Sequence, residues 1–113
     1  MRVIFSNSFS LNMLEDEKET KIVVKKLSLN EVKQIMKDYE GCEWLSCIGH
    51  TSTAMILSEL LQKQIDANRI AIKLRPNDLL VVFQILVRIE EGKVLSREEL
   101  EKVPYAFYLV KLQ

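Results

Sequence analysis

Leu79-Leu80-Val81-Val82-Phe83-Gln84-Ile85-Leu86-Val87-Arg88-Ile89 is the stretch on which the fold turns. It is too long and too rich in β-branched residues to be anything but a strand. Odd positions Leu79, Val81, Phe83, Ile85, Val87 and Ile89 make an unbroken apolar face. The even face carries Gln84 and Arg88 among Leu80, Val82 and Leu86. Polar groups in such a strand need partners, because burying them alone is costly. An edge strand, a dimer seam with an ion pair, or a ligand would each supply one.

Outward from this strand, Arg75-Pro76-Asn77-Asp78 reads as a turn, and Arg69-Ile70-Ala71-Ile72-Lys73-Leu74 alternates as another strand. Further upstream a helix is expected from Gly49-His50-Thr51-Ser52, with Ala54, Leu57, Leu60, Leu61 and Ile65 on its buried side. Ser28 with Glu31 makes a capping box. Leu29, Val32, Ile35, Met36 and Tyr39 then follow helical spacing until Gly41. Val3-Ile4-Phe5 and Lys21-Ile22-Val23-Val24-Lys25 read as strands, separated by a polar loop from Asn7 to Asn12 and a charged, solvated stretch from Leu14 to Glu19. Downstream, Ser96 and Glu99 cap a short helix ending before Pro104, and Tyr105 to Leu112 closes as a strand. The order is β-β-α-α-β-β-α-β. It describes one α/β domain over residues 1–113, with a mixed sheet of about five strands flanked by helices and no repeat or linker.

With 113 residues, 48% of them apolar, and only three Gly and two Pro, the chain is neither disordered nor low-complexity. Sixteen Lys and Arg balance sixteen Asp and Glu. That balance argues against a duplex-DNA binder, whose affinity comes from phosphate neutralisation. A small anion held by a few well-placed cations is compatible with it. The longest apolar run is far short of the roughly 20 residues of a membrane span, and Met1-Arg2-Val3-Ile4-Phe5 turns polar at Ser6, too soon for a signal-peptide core. Cys42 and Cys47, with a single histidine, are too few for a disulfide framework or a four-ligand zinc site. The expectation is a cytoplasmic protein with no metal, no cofactor and no membrane or duplex-DNA partner.

The sole histidine, His50, is the most informative residue. It falls at the start of the second helix, where unpaired N–H groups and the positive end of the dipole attract anions, and imidazole is the usual proton-transfer group near neutrality. A histidine that merely caps the helix fits the same place. Cys47 and His50 are three apart, but no carboxylate nearby orients them as a nucleophile–base pair, and buried free thiols are the simpler reading. Arg69, beside Asn68, reads by default as a solvated charge. Glu90 and Glu91 before Gly92 resemble paired carboxylates, although neighbours on a strand end diverge. There is no Walker loop, dinucleotide fingerprint or metalloprotease motif, and Tyr105, Phe107 and Tyr108 read as core.

Four segments, taken together, carry a resemblance. They are Asn7-Ser8-Phe9-Ser10-Leu11-Asn12, Ser46-Cys47-Ile48-Gly49-His50-Thr51-Ser52-Thr53-Ala54, Asn68-Arg69-Ile70-Ala71-Ile72-Lys73 and Arg88-Ile89-Glu90-Glu91-Gly92. In order and spacing the chain resembles the viral ring nucleases, type III anti-CRISPR proteins, over nearly its whole length. The resemblance implies metal-free degradation of cyclic tetra-adenylate by a homodimer whose two-fold axis matches the ring. It implies His50 as catalytic acid, with Arg88 and Glu91 beside it. Asn7, Ser10, Asn12, Gly49, Arg69 and Gln84 would bind the ligand. The competing classes are a dimeric regulator without enzymatic activity and a protein that binds the messenger without cleaving it. A homodimer is also suggested by the residues themselves, because the apolar even face of Leu80, Val82 and Leu86 is more than one small domain is expected to cover.

Overall fold

In the computed structural model, which describes residues 1–15, 19–88 and 95–113, β-branched and aromatic runs form five strands of one mixed sheet. They are β1 (Arg2–Ser6), β2 (Ile22–Leu27), β3 (Glu43–Ser46), β4 (Leu79–Ile85) and β5 (Tyr105–Leu112). The helices are α1 (Leu29–Asp38), α2 (Thr51–Leu61) and α3 (Arg97–Lys102), with a 3-10 turn at Leu11–Met13. The strands lie in the order β2-β5-β4-β1-β3. β1 runs parallel to both β3 and β4, while β5 pairs antiparallel with β4 and β2.

The α/β class, the single mixed sheet and the five strands match the sequence reading, but the element order differs in one place. A strand lies at Glu43–Ser46, before α2, and Arg69–Leu74 is not a strand. The order is therefore β-β-α-β-α-β-α-β. The Arg69–Leu74 segment opens with a tight turn, the Ile70 N–H donating to the Asn68 carbonyl at 2.9 Å, pairs with no strand and buries one side only. Ile72 and Leu74 join a core cluster with Ile4, Leu80, Val82 and Val110. Its Leu74 N–H donates to the Met13 carbonyl at 2.7 Å, and Lys73 Nζ reaches the Leu14 carbonyl at 3.1 Å. One-sided burial of an extended chain gives the same alternation as a strand. Glu43–Ser46 gave no alternation because Trp44 packs on one face of the sheet and Leu45 on the other.

The long strand is also shorter than expected. It ends at Ile85, and Leu86 and Val87 form a bend; Ile89 lies outside the described residues. Val81 and Phe83 pack against the helix layer with Val32 of α1 and Ala54, Ile56, Leu57 and Leu61 of α2. The even face is not left open. Leu80 and Val82 are 0% and 6% exposed, covered by Phe9, Met13, Ile72 and Leu74 of the chain itself. Of the residues that suggested a second copy, only Leu86 is exposed.

Both capping boxes form. Ser28 and Glu31 exchange hydrogen bonds of 3.1 and 3.0 Å, and Ser96 and Glu99 two of 3.2 Å. No helix of the described residues is long and apolar enough to cross a membrane.

A buried ion pair ties the first strand to the turn before β4. Arg2 Nη2 and Nε meet the two Asp78 carboxylate oxygens at 2.6 and 3.1 Å, and Nη2 also donates to the Lys73 carbonyl at 3.0 Å. Asp78 Oδ2 accepts the Arg75 N–H at 2.8 Å. Burial alone would raise the Asp78 carboxyl; the Arg2 and Arg75 hydrogen bonds, with their charges, outweigh it and hold the group below its ordinary value. A carboxyl depressed on folding adds stability above its unfolded pKa and loses it as pH falls through the folded one. Urea unfolding should therefore show stability falling through and below the ordinary carboxylate range, near pH 4. Asp78→Ala, which strands a buried guanidinium, should cost about 3–5 kcal/mol at pH 7 and flatten that acid limb. An unchanged urea midpoint in the variant would remove the pair from the list of structural ties.

Candidate functional site

Because β1, β3 and β4 are parallel, their carboxyl ends reach the same edge of the sheet at Ser6, Ser46 and Ile85. In α/β folds the crevice outside such ends is where ligands bind. Here the loops leaving the three strands carry most of the residues singled out in the sequence.

Ser6, 2% exposed, donates through Oγ to the Ser8 carbonyl at 2.7 Å and accepts the Ser8 N–H at 3.3 Å, so the chain turns sharply at Asn7. Asn7 Oδ1 accepts the Gly49 N–H at 3.0 Å. On the other side, Arg69 Nε donates to the Gly49 carbonyl at 2.7 Å. A Cβ on Gly49 would stand 3.7 Å from Arg69 Cγ and 3.8 Å from Asn7 Oδ1, both ordinary contacts. What the neighbours hold is therefore the Gly49 peptide, not a space only glycine can fill.

His50 follows as the N-cap of α2, in extended geometry, with its carbonyl accepting the Ala54 N–H at 3.0 Å. Its imidazole is exposed and makes no capping hydrogen bond. His50 thus occupies the capping position, as one reading of the sequence expected, but caps through its backbone, and its ring takes no part in the cap. Thr51, Ser52 and Thr53 open the helix beside it, and no acidic residue lies in this first turn.

Ser10 caps the 3-10 turn through a 3.2 Å hydrogen bond from the Asn12 N–H, and Asn12 itself is exposed. Gln84 is exposed near the end of β4, on the face of Leu80 and Val82, two residues beyond the last β1 pair, Ser6 with Val82. Arg88 is exposed past the end of that strand. Asn7, Gly49, His50 and Arg69 therefore form one cluster, and Ser10 and Asn12 follow on the Asn7 loop. Gln84 belongs to the same sheet edge, with Arg88 beyond it. Glu91 and its neighbour Glu90 lie outside the described residues.

Two residues the sequence reading passed over hold this edge together. Ser46 Oγ donates to the Asp66 carbonyl at 2.5 Å, and Asn68 Nδ2 donates to the Ser46 carbonyl at 2.9 Å. The Asn68 N–H also reaches the Ile48 carbonyl at 2.7 Å. Their one signal was residue type: Ser and Asn readily bond backbone groups outside regular structure. Cys47 is 8% exposed in the cluster under the opposite face, and burial raises its thiol despite the Arg2 charge. That is the reverse of what a nucleophilic cysteine needs.

The fold has close counterparts. B116 of Sulfolobus turreted icosahedral virus superposes with a TM-score of 0.81 at 32% identity, covering 98% of this chain and 99% of that one. YddF of Bacillus subtilis (strain 168) is 39% identical over 85 residues, 75% of this chain and 78% of its own length. Protein 26 of the Sulfolobus islandicus filamentous virus (isolate Iceland/Hveragerdi) is 35% identical over 100 residues, 88% of this chain and 82% of its own. Residues 3–107 match one sequence family throughout, and the chain belongs to it: the STIV B116-like family.

Proposed function

We propose that the protein is a ring nuclease that cleaves cyclic tetra-adenylate to linear adenylates ending in 2′,3′-cyclic phosphate, and so suppresses type III CRISPR defence. The observation that carries this reading is the exposed, uncapped imidazole of His50, the only histidine in the chain, at the carboxyl edge of three parallel strands. The resemblance of the four sequence segments to viral ring nucleases supplies the substrate.

The chemistry asks little of the protein. A ribose 2′-hydroxyl attacks its own 3′-phosphodiester phosphorus in line: a P–O bond forms to the 2′-oxygen, its proton passes to solvent water, and the bond to the 5′-oxygen breaks. His50 donates its proton to that departing oxygen, giving a 5′-hydroxyl and a 2′,3′-cyclic phosphate. The nucleophile belongs to the substrate, so alignment and charge stabilisation are the protein's main tasks. Arg88 meets the phosphate through charge-assisted hydrogen bonds; the resemblance to ring nucleases adds Glu91 as a catalytic carboxylate. Asn7, Ser10, Asn12, Gly49, Arg69 and Gln84 line the ring's seat. A homodimer places two such sites around a ligand that itself has rotational symmetry.

Incubation with cyclic tetra-adenylate in excess EDTA should give those products at an undiminished rate. Activity abolished by EDTA and restored by Mn²⁺ would overturn the mechanism, and tight binding without products would favour a protein that only sequesters the messenger.

His50→Ala should cut single-turnover cleavage by about 10²–10⁴ with little change in Kd, because the leaving oxygen gains its charge only in the transition state. Arg88→Ala should weaken both binding and turnover. Wild-type rates in His50→Ala would remove the histidine from the chemistry.

Cys47→Ser should keep full turnover if stably folded, since its thiol is buried and burial disfavours the thiolate. A folded, ligand-binding Cys47→Ser protein without activity would demand a different nucleophile.

A further inference from the structure

We propose that Asn7, Arg69 and Asn68 are positioning residues that act on the two peptide planes leading into His50, and through them fix where the imidazole stands. The inference rests on the reading of His50 as the proton donor, and it gives Asn7 and Arg69 a role distinct from ligand contact.

Three successive backbone groups before His50 are held by two other parts of the chain. The Ile48 carbonyl accepts the Asn68 N–H, the Gly49 N–H goes to Asn7 Oδ1, and the Gly49 carbonyl accepts from Arg69 Nε. The first plane is thereby held at both ends and the second by its oxygen. Ile48, 0% exposed, anchors the segment in the core. On the far side the His50 carbonyl is locked into the first turn of α2 by Ala54. The backbone of His50 is thus bracketed, and only its side-chain torsions are free.

The partners are themselves held. Asn7 sits at a turn pinned by Ser6, and Asn68 is tied back to β3 by its amide on the Ser46 carbonyl. Arg69 follows Asn68 directly, so the staple at 68 sets the root of the side chain at 69. Asn7 Oδ1 and Arg69 Nε are committed within the protein, which leaves Asn7 Nδ2 and the two Arg69 Nη groups to face a ligand. A proton donor misplaced by about 1 Å can lose on the order of 10² in rate, so this bracing belongs to catalysis as much as to folding.

The sole histidine makes the test unambiguous, because its ring gives one pair of carbon-bound proton signals. In the full-length protein, Gly49 amide exchange should quicken more than tenfold in Asn7→Ala but stay near wild type in Asn7→Asp, which keeps the acceptor while losing the Nδ2 donor. Asn68→Ala touches no ligand in any reading. It should lower single-turnover cleavage of cyclic tetra-adenylate about tenfold or more with Kd within about twofold of wild type, and shift the His50 ring signals. Arg69→Lys, which keeps the charge but loses the planar Nε donor, should shift the same signals.

Unchanged Gly49 exchange in Asn7→Ala, or Asn68→Ala weakening binding at full turnover, overturns the proposal. If the wild-type protein cleaves no cyclic tetra-adenylate, the ring-nuclease reading fails, while exchange and ring signals still decide whether the clamp exists.

Discussion

The architecture depends on a guanidinium and a carboxylate at the amino end of the sheet. Arg2 is the first residue of β1 and Asp78 immediately precedes β4, and they meet 76 positions apart in sequence with both side chains almost wholly buried. Desolvating two charges is expensive, and the geometry has to compensate it with hydrogen bonds to every available oxygen and nitrogen. Here the Arg75 N–H and the Lys73 carbonyl complete the set. The pair therefore does more than join two strands. It fixes the register of β1 on β4 and terminates the extended segment that covers the lower face of the sheet.

That register has a direct effect at the opposite edge. Once Val3 pairs with Leu79 and with Trp44, the carboxyl ends of three parallel strands lie along one edge, with β4 running three residues past the partner of Ser6. Asn7, Gly49 with His50, and the carboxyl end of β4 then share one rim. Arg69 arrives from the covering segment.

Much of this was legible in the residues. The helix signals at Ser28 and Ser96 and the boundaries of β5 follow from local rules, and the structure keeps them; on the buried side of α2 it keeps Ala54, Leu57 and Leu61, adds Ile56, and places Ile65 beyond the helix end. Glu43–Ser46 was not legible because a four-residue edge strand, half-buried through Trp44 on one face and Leu45 on the other, has neither the length nor the alternation that marks a strand. Arg69–Leu74 was misread because alternation reports one-sided burial, and burial against the face of a sheet looks the same as membership in it. At the site, the place of His50 at a helix start was visible in the sequence. The commitment of Asn7 and Arg69 to Gly49 was not, since hydrogen bonds between residues 42 and 20 positions apart leave no local trace.

The position of β1 also governs how the molecule comes into being. Both its neighbours are distant along the chain: β3 begins at Glu43 and β4 at Leu79. Val3, Ile4 and Phe5, nearly inaccessible in the finished sheet, must wait until most of the chain has been made before β4 can close over them. Parallel pairings at such separation close large loops before any contact rewards them, and they fold slowly. No hairpin nucleates this half of the sheet. The antiparallel half of the sheet is no earlier, since β2 and β4 both await β5 at the end of the chain. A chain cut before β4 would thus leave one side of β1 unpaired and the rim without its β4 end.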